Sequence, residues 1–146
     1  MLTIEVSNKG LTFIIINLYA PQGFGIYPFK SFFNSLPIPV FIFGDFNLHH
    51  PLWEENRASP MSNNFAEWIQ NSSFILVNTT VPSFINYNGT NSLLGLTIMS
   101  TSIYHQIDCS VADSTFESDH NPVITTWSVL NNNPKNIKII NCNRVM

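Results

Sequence analysis

Hydrophobic positions in this chain fall in short runs separated by polar, glycine- or proline-bearing segments. Leu11 to Tyr19 (LTFIIINLY) is apolar and β-branched, and Ala20-Pro21-Gln22-Gly23 closes it. That pattern predicts a buried strand followed by a turn. Gly23 to Ser35 is aromatic-rich and holds at most a short helix, starting near Pro28. Pro37 and Pro39 frame a second strand, Val40 to Phe43, which stops at Gly44 and gives way to the polar loop Asp45-Phe46-Asn47-Leu48-His49-His50-Pro51. Ser62 reads as the N-cap of a helix reaching about Asn71, because Phe65, Trp68 and Ile69 share one face at i, i+3 and i+4. Further strands are expected at Phe74 to Val77, Leu93 to Met99 and Val123 to Val129. Strands with helices between some of them, and polar loops at strand ends, predict a layered α/β or α+β sandwich.

Length and composition narrow this picture. The chain has 146 residues, 45% of them apolar, enough for one domain with a real core. Aromatic content is high and the formal net charge is only -3, which excludes a mainly disordered state. No apolar run reaches the length of a membrane-spanning helix, and the N-terminal residues do not read as a secretory signal. A nuclear or cytoplasmic location, not a secreted one, is the expectation. The domain is expected over residues 1–130. Residues 131–146, with three consecutive Asn and then Lys135, Lys138 and Arg144, read as a basic tail or linker. Ahead of them, Lys9, Lys30 and Arg57 stand against all nine acidic residues. Such a surface does not bind nucleic acid mainly by counterion release. If the domain handles phosphates, a metal cation must offset the like charge. Cys109 and Cys142 form no CxxC pair, so neither zinc nor a disulfide framework is expected.

The polar loops carry the candidate chemistry, since ligands gather at the carboxyl ends of strands in α/β sheets. Asp45 and Asn47 follow a buried strand, two residues apart. In extended chain they would face one side, where the carboxylate could orient water or hold Mg²⁺ and the amide could donate to a phosphate. The same pair can instead form an Asx-type turn that satisfies only local backbone. Ser118-Asp119-His120 places an acid beside an imidazole just before the last strand, a pair suited to metal binding and anion stabilisation, or simply a solvated loop. Tyr19 ends the first predicted strand and could reach a phosphate from the same edge. His49 and His50 read as loop residues, one of which could face the pocket. Trp53, Trp68 and Trp127 read as core.

Taken in order, N-L-Y-A-P-Q-G after one strand, F-I-F-G-D-F-N-L-H-H-P-L-W after the next and S-D-H-N-P-V before the last resemble the endonuclease/exonuclease/phosphatase superfamily. More narrowly, they resemble the apurinic-type endonuclease domain of non-LTR retrotransposons, and S-L-L-G-L-T is similar to the S-x-L-D-L-T segment of those domains. The resemblance covers the chain up to about Trp127. It implies a four-layer α/β sandwich of two packed sheets flanked by helices, and hydrolysis of phosphodiester bonds in DNA with Mg²⁺ or Mn²⁺. It implies Tyr19, Asp45, Asn47 and His120 as catalytic residues, Asn47 and His50 as substrate contacts, and Asp45 and Asp119 as metal ligands. A reverse-transcriptase domain in the same polypeptide is the implied partner, with no membrane involved.

Two departures from that family pattern bear on activity. The strand with the family's catalytic Asn and the segment with its metal-binding Glu have no counterpart here, which implies an N-terminally truncated domain with an uncovered edge along the Tyr19 strand. Gly95 stands where the family carries the Asp that accepts a hydrogen bond from the imidazole matched by His120. The alternatives to a working nuclease are a catalytically dead remnant acting at most as a binding module, and a phosphatase of the same superfamily.

Overall fold

The computed structural model describes residues 1–8, 10–37, 39–54, 57–78, 80–104, 107–112, 118–129 and 135–141. The predicted Leu11 strand is present as Leu11–Tyr19 (β2), but it is preceded by Leu2–Asn8 (β1), which pairs with it antiparallel from Leu2↔Asn17 to Asn8↔Leu11. Alternation of Leu2, Ile4 and Val6 with Thr3, Glu5 and Ser7 is the sequence signal for β1. Gly10, at φ 86, takes the left-handed turn conformation that glycine adopts without strain. The short helix runs Ile26–Asn34 (α1), two residues earlier than Pro28. It leads into Val40–Asp45 (β3), which lies parallel to β2.

The second helix is Pro60–Asn71 (α2), and its N-cap is Ser59, not Ser62. Ser59 Oγ accepts the Ser62 N–H at 3.1 Å, and Ser62 Oγ accepts the Ser59 N–H at 2.7 Å. This reciprocal box, with Pro60 as the first helical residue, starts the helix a turn earlier than its apolar stripe suggests. Phe74–Leu76 (β4), the two-residue strands Phe84–Ile85 (β5) and Asn91–Ser92 (β6), and Gly95–Ser100 (β7) follow. Ile107–Val111 (β8), Val123–Val129 (β9) and Lys135–Asn141 (β10) complete the strands. β10 lies inside the segment read as a tail, paired antiparallel with β9 from Lys135↔Val129 to Asn141↔Val123. The rest of that segment, with Cys142, lies outside the described residues.

The larger sheet has the order β1-β2-β3-β7-β4, and the smaller β10-β9-β8; β5 and β6 form a separate hairpin. The two faces of the large sheet hold different cores. Ile16, Val40, Ile42, Leu96 and Ile98 pack under α1 and α2 with Phe29, Phe33, Phe65 and Trp68. Phe13, Phe41, Phe43 and Met99 pack on the opposite face with Trp127 of β9. Trp127 meets Phe13 edge-on at a ring distance of 5.4 Å, which locks the sheets face to face. Helices, large sheet and small sheet are thus the layers of an α/β sandwich. Among the described residues no helix covers the outer face of the small sheet.

β2 is an interior strand between β1 and β3, so among the described residues the open edge expected along the Tyr19 strand belongs to β1 instead. On that edge Leu2 is 62% and Ile4 51% exposed. Unpaired backbone groups beside exposed apolar side chains template pairing with another chain. Ile4→Lys is therefore expected to leave the melting temperature within a few degrees of wild type and to raise the protein concentration at which light scattering first detects aggregates.

Candidate active site

Three adjacent strands bring their site residues into one row. Parallel pairing of β2 with β3 sets Tyr19 opposite Asp45, and antiparallel pairing of β3 with β7 sets Asp45 opposite Gly95. Residues opposite one another in register share a face, so this row lies on the face that carries Phe43 and Thr97, towards the small sheet. Tyr19 is 52% exposed and Asp45 only 8%. The phenol is presented to solvent at the rim, and the carboxylate sits inside.

Asp45 is the last residue of β3, so the alternation expected to carry Asn47 to the same side does not continue past it. Asn47 takes φ 49, and its N–H donates to Asp45 Oδ1 at 3.0 Å. This is the Asx turn that the spacing also allowed. The Asn47 side chain turns back across the loop after β2, with Nδ2 donating to the Pro21 carbonyl at 2.8 Å. The turn fixes one carboxylate oxygen and ties two strand-end loops together.

Ser118-Asp119-His120 reaches the row from the start of β9. His120 forms an isolated antiparallel bridge with Phe84 and packs its ring on the Phe84 ring at 5.1 Å. Ser118 Oγ accepts the His120 N–H at 3.1 Å. Nδ1 of His120 is buried without a hydrogen-bond partner, as is Oδ1 of Asn121. Gly95 itself is held through its backbone: its N–H donates to Ser83 Oγ at 2.8 Å, and its carbonyl accepts from Asn78 Nδ2 at 2.7 Å.

Burial pushes the Asp45 carboxyl above the ordinary carboxylate range. The Asn47 N–H and then His120 pull it back down, and Asp119 pushes it up again. These influences place the Asp119-His120 pair in electrostatic reach of Asp45. Because the folded-state pKa lies above the unfolded one, the folded chain holds this proton more tightly. Ionising Asp45 then costs stability, and the cost grows as pH rises through the raised value. Asp45→Asn is therefore expected to melt higher than wild type at roughly neutral pH, with the gain vanishing below about pH 3, where both states are protonated. Melting curves across that range test it.

Among the described residues no contact ties His50 to Asp45. It is built into its own loop: Nδ1 accepts the Leu52 N–H at 3.0 Å and the ring lies on Trp53 at 5.0 Å. His49 Nδ1 lies 2.9 Å from Glu54 Oε2. Trp53, buried, donates Nε1–H to the Leu48 carbonyl at 3.0 Å, so the HHPLW phrase closes a tight loop beside the site. A cavity of about 720 Å³ opens along this loop, lined by Leu52, Trp53, Arg57, Pro82, Asn91 and Leu93. Sequence reasoning missed Ser83–Ile85, which holds the His120 loop; a two-residue strand has no periodicity to detect.

No group of three or more His, Cys, Asp or Glu gathers among the described residues. Glu5 does not supply a further ligand. It pairs with Ile14, five residues or about 17 Å along the sheet from Tyr19, on the other face. Asp108 is exposed on β8, and Asp113 lies outside the described residues. What remains is Asp45 and Asp119, two hard oxygen donors. Mg²⁺ keeps several waters and is commonly bound by one or two carboxylates plus substrate phosphate oxygens, so this pair fits it in kind and at the lower limit in number. The Asp119 charge that raises Asp45 is the repulsion a cation would relieve.

Cys109, a free thiol, faces the space between the sheets, with Sγ 3.5 Å from Thr125 Oγ1. Burial pushes its pKa up, which keeps it a neutral packing residue. No helix among the described residues is long and apolar enough to cross a membrane.

A family model described as endonuclease-reverse transcriptase matches residues 13–124, more than half of the chain. No curated protein matches. Among solved structures, the endonuclease domain of TRAS1, a telomere-specific non-LTR retrotransposon, superposes with a TM-score of 0.71 at 15% identity. The match covers 89% of this chain and 64% of that one, so the chain spans a little under two thirds of that domain. A mannosyl-6-phosphatase of Bacteroides thetaiotaomicron VPI-5482 gives a TM-score of 0.42 at 15% identity, over 78% of this chain and 50% of that one.

Proposed function

We propose, on the premise that this chain belongs to the endonuclease-reverse transcriptase family, that its Asp45 row nicks DNA by divalent-metal-assisted phosphodiester hydrolysis. The observation that carries this reading is the register that sets Tyr19, Asp45 and Gly95 side by side, with Asp119 and His120 in electrostatic reach. Asp45, once ionised, orients and deprotonates the attacking water. The Asn47 N–H keeps one of its oxygens fixed, leaving the other for that proton. Asn47 spends one amide hydrogen on Pro21 and retains a second for a phosphate oxygen. Tyr19 donates its phenol O–H to the phosphate from the rim, and His120 stabilises the charge that builds on it. Asp45 and Asp119 would hold Mg²⁺ or Mn²⁺, which when bound would supply Lewis-acid polarisation of the phosphoryl oxygen.

His50, turned into its own loop, is proposed as a weaker substrate contact at the loop flank. In a full-length protein the partner would be a reverse-transcriptase domain. The test is nicking of supercoiled plasmid by purified protein with Mg²⁺ or Mn²⁺ against EDTA, with an Asp45→Ala, His120→Ala double variant as control. Metal-dependent nicking that the double variant lacks supports the reading. A second reading, a catalytically silent domain, is favoured by Gly95 and the vacant His120 Nδ1; folded protein that leaves the plasmid intact under every metal condition would establish it over the first.

A further inference from the structure

We infer that Phe84 is a positioning residue for His120, and that the Ser83–Ile85 segment takes over in this chain the orienting task that no carboxylate at position 95 performs. The inference rests on the endonuclease reading for the role of His120; the geometry stands apart from it.

Four hydrogen bonds and one ring contact define the device. Ile85 N–H donates to the Asp119 carbonyl at 2.8 Å, and Asn121 N–H donates to the Ser83 carbonyl at 2.7 Å. These bonds flank the Phe84–His120 bridge and clamp the backbone on either side of the histidine. Between them the two rings lie 5.1 Å apart at 56°. Ser83 then anchors the clamp to the large sheet. Its buried Oγ accepts from Gly95 N–H at 2.8 Å, and its own N–H donates to the Ser92 carbonyl at 3.0 Å. A continuous path thus runs from Gly95, the cross-strand partner of Asp45, through Ser83 and Phe84 to His120.

A phenyl ring and a carboxylate constrain an imidazole differently. A carboxylate on Nδ1–H fixes ring orientation and tautomer together. A phenyl ring restricts where the imidazole can swing but offers nothing to its nitrogens, and Nδ1 of His120 is indeed buried without a partner. With Nδ1 unanchored, the Phe84 ring is the side-chain contact that restrains this histidine. Removing it should cost positioning rather than ground-state binding. Misplacement by about 1 Å can cost roughly 100-fold in rate.

The experiment compares wild type, Phe84→Ala and Phe84→Tyr. Phe84 is only half-buried, so loss of its ring should leave the fold intact. Two readouts are taken. The first is the His120 Hε1 resonance in histidine-labelled protein, assigned by its loss in His120→Gln. Its ring-current shift should be present in wild type and Phe84→Tyr and absent in Phe84→Ala. The second is steady-state nicking, where Phe84→Ala should lower kcat by about 10- to 100-fold with KM changed less than about threefold. Phe84→Tyr should recover most of that loss. Phe84→Ala with kcat within twofold of wild type, despite a moved resonance, would overturn the inference and leave the contact as packing. If wild-type protein does not nick, the endonuclease reading falls and the resonance decides alone. A His120 shift indifferent to Phe84→Ala would then overturn the positioning.

Discussion

Replacing Asp45 with asparagine is expected to lower the nicking rate by about 10²- to 10⁴-fold, the usual worth of a positioned general base. The substitution preserves shape. An asparagine Oδ1 can still accept the Asn47 N–H, so the turn that ends β3 survives. What disappears is the negative charge, and with it both the proton acceptor and one of the two carboxylates offered to a cation. The same variant is expected to gain stability near neutral pH, because burial penalises the ionised carboxyl. Activity and stability should therefore move in opposite directions in one protein, which separates a chemical effect from misfolding. Single-turnover nicking together with a melting curve reads both. A variant that nicks within tenfold of wild type would remove Asp45 from the role of base.

Gly44→Ala is expected to be the most damaging small substitution in the scaffold. A Cβ on Gly44 would overlap the Leu18 carbonyl oxygen and sit 2.8 Å from the Leu18 carbonyl carbon. These are backbone atoms of the paired strand and cannot move aside as a side-chain tip can. Overpacking in cores costs about 1–3 kcal/mol when side chains can adjust, and separating β2 from β3 should cost at least about 3 kcal/mol. Gly10→Ala is the internal comparison. Its Cβ would meet nothing within 4 Å, so only the positive φ is penalised, at about 1–2 kcal/mol. Urea unfolding of the two variants should rank Gly44→Ala well below Gly10→Ala, and equal midpoints would contradict the close approach. Gly44 is adjacent to Asp45, so the backbone contact that demands a glycine also holds the carboxylate's strand against that of Tyr19.

Much of the fold was legible where side chains are buried on both faces. β3, buried along its whole length, and the apolar run of β2 announce themselves as strands, and Val123–Val129 falls where expected. Half-exposed strands were harder. β1 and β8 alternate with period two, but their polar positions dilute the apolar signal. α2 starts earlier than Ser62 because an apolar stripe marks the buried face, whereas Ser59 and Pro60 mark the first turn. At the candidate site, Tyr19 reads as a strand end and Asp45, Asp119 and His120 as loop motifs, and sheet register brings the first two together. Asn47 was not readable by alternation, since a left-handed residue after the strand redirects its side chain. Gly95 was visible as a missing acid, but that Ser83 and Phe84 occupy the space around the unanchored imidazole follows only from tertiary contacts.

The division of the sheets along the chain has a consequence for synthesis. Every strand of the large sheet lies between Leu2 and Ser100, and every strand of the small sheet between Ile107 and Asn141. A nascent chain emerging amino-terminus first can pair β1 to β4 and β7, and bury the helix-side core, before Asp119 and His120 leave the ribosome. The row with Tyr19 and Asp45 is then laid down early, and Asp119 and His120 join it only when β9 docks through Trp127. Ribosome-bound chains halted before β9 should resist protease across the large sheet although Asp119 and His120 have not yet been added. Chain order itself sets the order of assembly, the strand-end row first and the Asp119-His120 pair last.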